Sequence, residues 1–386
     1  METKGVKLLY SKKEIEKNKI DAYELCPCGS EDKFKFCCYQ KAREARHKEI
    51  AEYKYSEQRI NHMARLEWEK ADFKTCLGFN KEECSSVIKG AHSIQNNRFL
   101  NRISEDGHVY QISGEISKKK GHHAVFKKIS RNKASTFFGF CDYHDTELFK
   151  PIELREYTGE PIQNFLFAFR ASALEYHRKQ RLLNNIRRLF KKFPAGMLDP
   201  IMVNTYRVTV LDVEDYAKDY NLFKENYLRG NFEILRTISR TLDYEVEFTT
   251  SSAFAVQFDY TGKEINDIYH DKSENKMPSI YVSVYPIENQ TVIVLSHLLS
   301  DNKVYKEYFD QLDGLSNEEF TQHLNYLIIE YTENVFFSPN LVDRMTNKQK
   351  DSLLRSFVSS VNVFEKMELL LEQNYYKFNL FNPPST

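Results

Sequence analysis

Seven cysteines occur in this 386-residue chain, all before residue 142, and their spacing divides them into two groups. The first reads CPCGSEDKFKFCCY, with Cys26, Cys28, Cys37 and Cys38 inside thirteen residues in the pattern C-x-C-x8-C-C. Disulfides between residues one or two apart would be strained, whereas four thiolates on so short a loop can surround one Zn2+ ion tetrahedrally. A site with four protein ligands has no open position for substrate or activated water, so its metal would add folding energy and a binding surface, not catalysis. The second group is dispersed: Cys76 and Cys84 in CLGFNKEECSSVIKGAHSIQNNRFL, Cys141 and His144 in FFGFCDYHDTELFKPIE. These make a Cys3His set if the intervening segment folds back as a hairpin. Beside them stand His92, in the apolar-flanked strand-like stretch GAHSI, and Asp145, directly after His144.

The first group resembles the SEC-C motif, found at the carboxyl end of the SecA translocation ATPase and attached to many bacterial proteins. The likeness covers residues 25 to 39: Cys-Pro-Cys-Gly-Ser, an aromatic and basic stretch, and a closing Cys-Cys. Lys33, Phe34, Lys35 and Phe36 would be displayed between the ligand pairs as a contact for nucleic acid or protein. The second group resembles zinc-stabilised HNH nucleases, in which a histidine at a strand end follows the first ligand pair and the second pair opens a helix. That resemblance implies His92 as general base, Cys141 and His144 as the second zinc pair, Asp145 as ligand of a catalytic Mg2+ or Mn2+, and Asn96 or Asn97 as the group orienting the base. The chemistry is coherent: a neutral imidazole deprotonates a water attacking phosphorus, and a carboxylate-held divalent cation stabilises charge on the phosphate. The residues themselves leave a second arrangement open. His92 is then a further zinc ligand, or a hydrogen-bonding member of a treble-clef-like module, and Asp145 caps the helix starting DTELF.

Two stretches are strongly basic. From Arg98 to Lys133 there are nine Lys/Arg against three acids, with Lys118, Lys119 and Lys120 consecutive. Alternation in HVYQISGEI there predicts a strand, followed by a lysine-rich turn bearing His122 and His123, which are weaker candidates for metal or proton chemistry. From Arg178 to Lys192 there are seven Lys/Arg and no acid. Either run can track a phosphate backbone, since each neutralised phosphate releases counterions; either equally fits a solvated surface.

The elements that must position these groups follow from periodicity. QKAREARHKEIAEYKYSEQRINHMARLEWEKADF has helix formers, charges of both signs and no Pro or Gly, and reads as one long helix. IQNFLFAFRASALEYHRKQRLLNNIRRLFKKF is apolar at three-to-four spacing and reads as a long amphipathic helix or a pair, broken by Pro194 and Gly196. Another helix follows in VEDYAKDYNLFKENYLRGNFEILRTISRTL. YEVEFTTSSAFAVQFDYTG, SIYVSVYPIEN and QTVIVLSHLLS are rich in β-branched and aromatic residues and read as antiparallel strands, with Gly262 at a turn. His297, in an apolar run, reads as a satisfied core histidine. Helices return in NEEFTQHLNYLIIEYTENVFF and NKQKDSLLRSFVSSVNVFEKMELLLEQ.

Composition bounds the rest. Hydrophobic residues at 41% and aromatics at 14% describe a folded chain. Lys+Arg and Asp+Glu balance at 55 each, so any nucleic-acid face must come from local clustering. No run approaches the ~20 apolar residues of a membrane span and the start lacks a signal-peptide core, which predicts a cytoplasmic protein with no membrane partner. The absence of G-x-x-x-x-G-K-[ST] and G-x-S-x-G argues against a P-loop NTPase and an α/β-hydrolase. The expected architecture is α+β in three parts: 1–70 a SEC-C zinc motif with a helical lead, 71–153 an HNH or treble-clef-like zinc module, and 154–386 a helical plus antiparallel-sheet domain. As a whole the chain resembles bacterial SEC-C proteins, some of which occur among antiviral defence genes. The expected function is a nucleic-acid-acting protein with two structural Zn2+ sites, an HNH-like metal-dependent nuclease of DNA or RNA in antiviral defence. Its alternative is a non-catalytic binding or sensor protein. A third reading is an accessory factor that docks a ribosome, chaperone or secretion component, with a protein partner held by the SEC-C motif or the carboxyl-terminal domain.

Overall fold

The structure, a computed structural model, describes residues 18–47, 56–117, 119–268, 276–360, 363–372 and 378–383. In chain order the elements are α1 (Phe34–Cys37), α2 (Tyr39–His47), α3 (Glu57–Lys70), β1 (Ala91–His92), β2 (His108–Ser117), β3 (Gly121–Ser130), β4 (Thr136–Phe137), α4 (Asp142–Leu148), α5 (Lys150–Glu153), α6 (Pro161–Lys192) and α7 (Pro200–Leu228). Strands β5 (Leu235–Leu242), β6 (Phe248–Phe254), β7 (Ile280–Ile287) and β8 (Gln290–Leu298) follow. Then come α8 (Asn302–Asp313), α9 (Asn317–Tyr331), β9 (Val335–Phe337), α10 (Pro339–Arg344), α11 (Asn347–Ser359) and α12 (Val363–Leu371). The mixture of helix and antiparallel sheet is the expected α+β class. Of the single helix expected from Gln40 to Phe73, α2 and α3 are seen, and residues 48–55 between them lie outside the described residues, as does Lys118.

The chain gathers into two compact units, one of residues 1–73, 178–215 and 267–276, the other of 74–177, 216–266 and 277–386. Unit 1 has little apolar sequence for a core, and cysteines supply part of it: Cys26, Cys28 and Cys38 pack with Phe34, Ala42, Ile186, Phe190, Met197 and Val203. A buried amide pair, Asn18 Nδ2 to Asn204 Oδ1 at 2.8 Å, closes this cluster. Helix α3 starts at Ser56, whose side chain accepts the Arg59 N–H as an N-cap does, and its single tryptophan, Trp68, lies 4.3 Å under the Arg181 guanidinium.

Unit 2 is built on a seven-stranded antiparallel sheet in the order β3-β2-β9-β6-β7-β8-β5. Every residue of β6 is buried, as are all but the last of β7, because both faces of the central strands are covered. On one face Tyr281 meets Phe223 of α7, with ring centroids 5.7 Å apart; on the other His297 of β8 meets Phe309 of α8 at 4.3 Å. His297 is buried in the core as expected but only half satisfied: its Nδ1 is 2.8 Å from the Leu298 carbonyl, while its buried Nε2 meets no partner among the described residues. Gly262 sits at φ +84 in a turn closed by the Asp259 carboxylate, which accepts the N–H groups of Thr261 and Lys263 at 2.9 Å each. The basic hairpin β2–β3 joins this same sheet through Tyr110↔Phe337. Apart from it stands a two-stranded ladder, Ala91↔Phe137 and His92↔Thr136, tied to β6 by Asn334, whose Nδ2 donates to Ser93 Oγ (3.1 Å) and to the Ser251 carbonyl (2.7 Å). Among the described residues no helix is long and apolar enough to cross a membrane.

Candidate metal centres

Cys26, Cys28, Cys37 and Cys38 bring their sulfurs within 4.8 Å of one another. The local fold explains it. Leu25 and Lys33 form an antiparallel bridge, the Gly29 N–H donates to the Cys26 carbonyl at 3.0 Å, and Gly29 adopts φ +76, a conformation that costs a side-chain-bearing residue about 1–2 kcal/mol. This knuckle aims Cys26 and Cys28 at the helical turn of Cys37 and Cys38. The Cys28–Cys37 and Cys37–Cys38 sulfurs are 3.6 Å apart and all seven cysteines are free thiols, so these are not disulfides. Thiolates about 2.3 Å from a tetrahedral zinc ion would stand about 3.8 Å from one another, so the donors fit that ion. Burial pushes the Cys26 thiol up to about 11 and the Cys38 thiol higher still. Against burial, hydrogen bonds from Ser30 and the other thiols bring Cys28 down to about 7. Sulfurs so enclosed need a cation to be thiolates together. Of the residues expected on display between the pairs, Phe36 is 73% exposed, but Phe34 is buried, because the helical turn of α1 rotates it into the core of unit 1.

The second set also converges. Cys76, Cys84 and Cys141 place their sulfurs 3.4, 3.7 and 3.2 Å from Nδ1 of His144. A tetrahedron with three sulfurs and one imidazole nitrogen has sulfur-to-nitrogen edges of about 3.6 Å, which these distances bracket. Backbone pairing delivers the ligands across the sequence: Thr75 and Leu77 donate to the carbonyls of Phe138 and Gly139, and Ile88 bridges to Cys141. Phe79, wedged 4.3 Å from the Phe169 ring, anchors the first segment, and Cys141 is the N-cap residue immediately before α4. The N–H groups of Gly78 and Cys141 both point at Cys76 Sγ from 3.4 Å, stabilising negative charge there. Gly78 lies flat against the imidazole: a Cβ there would be 2.2 Å from His144 Cγ. Burial raises Cys76 to about 11; at Cys141 burial is outweighed by hydrogen bonds from His144 and Ser85, which lower it to about 6.

His92 ends strand β1, as the sequence predicts, with its Nε2 buried and unpartnered. Burial lowers its pKa; the Arg131 backbone, by hydrogen bond, and the Glu153 charge oppose this, while Arg170 adds to it. Asn96 and Asn97 do not orient it: both bond the Arg131 guanidinium, and Asn96 also bonds Asn132. Asp145 is no N-cap either, since α4 begins at Asp142 and places Asp145 inside its first turn. Burial raises the Asp145 carboxyl to about 6, with Arg170 opposing and Glu153, Asp142 and Cys141 adding to it. His92 and Asp145 thus feel the same ion pair, Arg170 with Glu153, which the sequence reading missed. Arg170 is 3% exposed, its guanidinium lies 4.0 Å over the Phe149 ring, and among the described residues its Nε has no partner. The available signal was a lone arginine inside the apolar run FLFAFRASAL. His92 and Asp145 belong to neither four-donor group, and those two are the groups of three or more donors found among the described residues. His122 and His123 lie on the hairpin, the latter 4.0 Å from Glu115, and join neither. The chain matches no family model, no curated protein and no solved structure.

Proposed function

We propose that this is a zinc-stabilised protein acting on nucleic acid, an HNH-like nuclease in bacterial antiviral defence, with a SEC-C-type clip as its first zinc site. The observation that carries the reading is the strand–strand–helix unit around the second donor set. His92 ends β1, β4 pairs with it, and α4 opens at Cys141 and His144 with Asp145 one residue on. Burial keeps the imidazole neutral near pH 7, the form that accepts a proton from water. Its Nε2 has no partner among the described residues but is buried, so this role requires the site to open to water. Arg170 would supply a positive group for a phosphate oxygen, held in place by Glu153. A divalent cation such as Mg2+ or Mn2+ on Asp145 would add charge neutralisation at the phosphate. The deciding experiment is cleavage of plasmid DNA and of RNA with Mg2+ or Mn2+. His92→Ala is expected to abolish cutting while zinc content and melting temperature stay at wild type; a variant that still cuts rejects the assignment.

A second reading, a non-catalytic binding or sensor protein, is favoured by one observation: the guanidinium beside Asp145 repels the divalent cation that the nuclease would place there. It is distinguished by salt-sensitive retention of nucleic acid without cutting.

A further inference from the structure

The two basic runs look alike in sequence and differ in the fold. In unit 1, Lys179 reaches Asp212 at 2.6 Å, Arg181 reaches Asp72 at 3.0 Å, and Arg188 and Lys192 reach Glu67 at 3.2 and 3.6 Å. That run is largely spent on internal ion pairs. On the β2–β3 hairpin, Lys119, Lys120, Lys127 and Lys128 are exposed, and none of them meets a carboxylate among the described residues. The same holds for Lys133 just beyond it.

The hairpin also has a defined shape. Its strands pair in unbroken register from His108↔Ser130 to Ser117↔Gly121, a ribbon about 34 Å long at the usual rise per residue. Strand β3 is the outer edge of the sheet. One face packs inward, Phe126 against Tyr110 and Phe337. By alternation the other face is buried at its base, at Val109, and beyond that carries Gln111, Ser113 and Lys127, hydrogen-bonding groups that suit base edges, together with Glu115, His123 and Val125. Edge lysines also serve to block strand-to-strand association, and that simpler role makes a different prediction below.

We propose that the β2–β3 ribbon enters the major groove of duplex DNA, with Lys119, Lys120, Lys127 and Lys128 on the flanking phosphates. The B-form major groove admits a two-stranded ribbon, whereas the major groove of duplex RNA is too narrow for one. This rests on the nucleic-acid part of the proposed function and not on cleavage.

The test is fluorescence anisotropy of the full-length protein with a labelled DNA duplex of about two helical turns, without added divalent cation, over a salt series. Lys119→Glu/Lys120→Glu and Lys127→Glu/Lys128→Glu are each expected to weaken binding at least about tenfold and to make the log–log salt slope shallower by about two. Lys303→Glu/Lys348→Glu, with the same change of net charge elsewhere in unit 2, is expected to change binding less than about twofold. Glutamate protects an edge as well as lysine does, so hairpin variants that bind like wild type leave only edge protection and overturn the proposal. Absence of duplex binding by the wild type, or equal binding of single strands or duplex RNA, also overturns it. Unchanged melting temperatures exclude misfolding. If duplex binding depends on the hairpin while His92→Ala still cuts, only the nuclease assignment falls.

Discussion

The two four-donor groups have the same ligand count and different company. The first, all sulfur, is set among Ile186, Phe190 and Met197, with exposed Tyr23, Leu25 and Phe36 on its outside. The second, three sulfurs and an imidazole, stands on a small ladder whose other features are His92, Asp145 and the buried Arg170 with its half-buried partner Glu153. Saturated metal sites do no chemistry themselves, so what separates a clip from a catalytic scaffold is which polar groups the metal holds in place.

The largest expected effect tests whether the groups are independent. The wild type should hold two equivalents of zinc, and Cys38→Ser and Cys141→Ser should each lose one and keep the other, as read by elemental analysis. Structural zinc is worth on the order of 10 kcal/mol in small zinc domains, so each loss should unfold its own surroundings. Trp68, the single tryptophan, reports unit 1 alone, and its emission should respond to Cys38→Ser and not to Cys141→Ser. One lesion emptying both groups would break the comparison.

Glycine substitution sharpens it. Gly78→Ala should expel the second ion by driving a methyl group into His144. Gly29→Ala should cost about 1–2 kcal/mol through its backbone and leave the first ion bound, since its Cβ meets only the flexible Arg187 side chain, at 3.3 Å. Third in size, Arg170→Met should destabilise unit 2 by about 1–2 kcal/mol in urea unfolding, because it leaves the half-buried Glu153 without its partner; Arg170→Met/Glu153→Met should recover most of the loss.

The smallest effect is a dependence on pH. The folded-state pKa of His92 lies below its unfolded value, so the unfolded chain binds the proton first. Its contribution is therefore complete above the ordinary histidine range near 6.5 and is lost as pH falls through the lowered value. His92→Gln should remove that fraction of the acid sensitivity. His323, buried on α9 and lowered to about 4 chiefly by burial, adds a separate loss as pH falls toward that value, which His92→Gln leaves in place.

Both donor sets could be read in advance because cysteine is scarce and its chemistry is narrow; the strand position of His92 followed from its apolar flanks. The two basic runs could not be told apart, since Glu67 neutralises Arg188 across 121 residues of sequence and no local pattern announces that. Phe34 and Phe36 are equivalent by type, and only the turn of α1 decides which is buried. Arg170 and Glu153 were hidden for another reason: charged residues in helical sequence are common, and the burial of Arg170 is what makes this pair unusual. The union of the hairpin with the carboxyl-terminal strands rests on Tyr110 meeting Phe337, a long-range pairing that periodicity does not encode.

The span of each donor set also orders events during synthesis. Cys28 and Cys37 are nine residues apart, whereas Cys76 waits 68 residues for His144. Closing the longer loop costs about 2 kcal/mol more chain entropy. An ion can therefore seat in the first set while most of the polypeptide is still on the ribosome. The second can fill only after residue 144 has emerged and the strand ladder has formed, which makes its capture a late checkpoint on the assembly of unit 2.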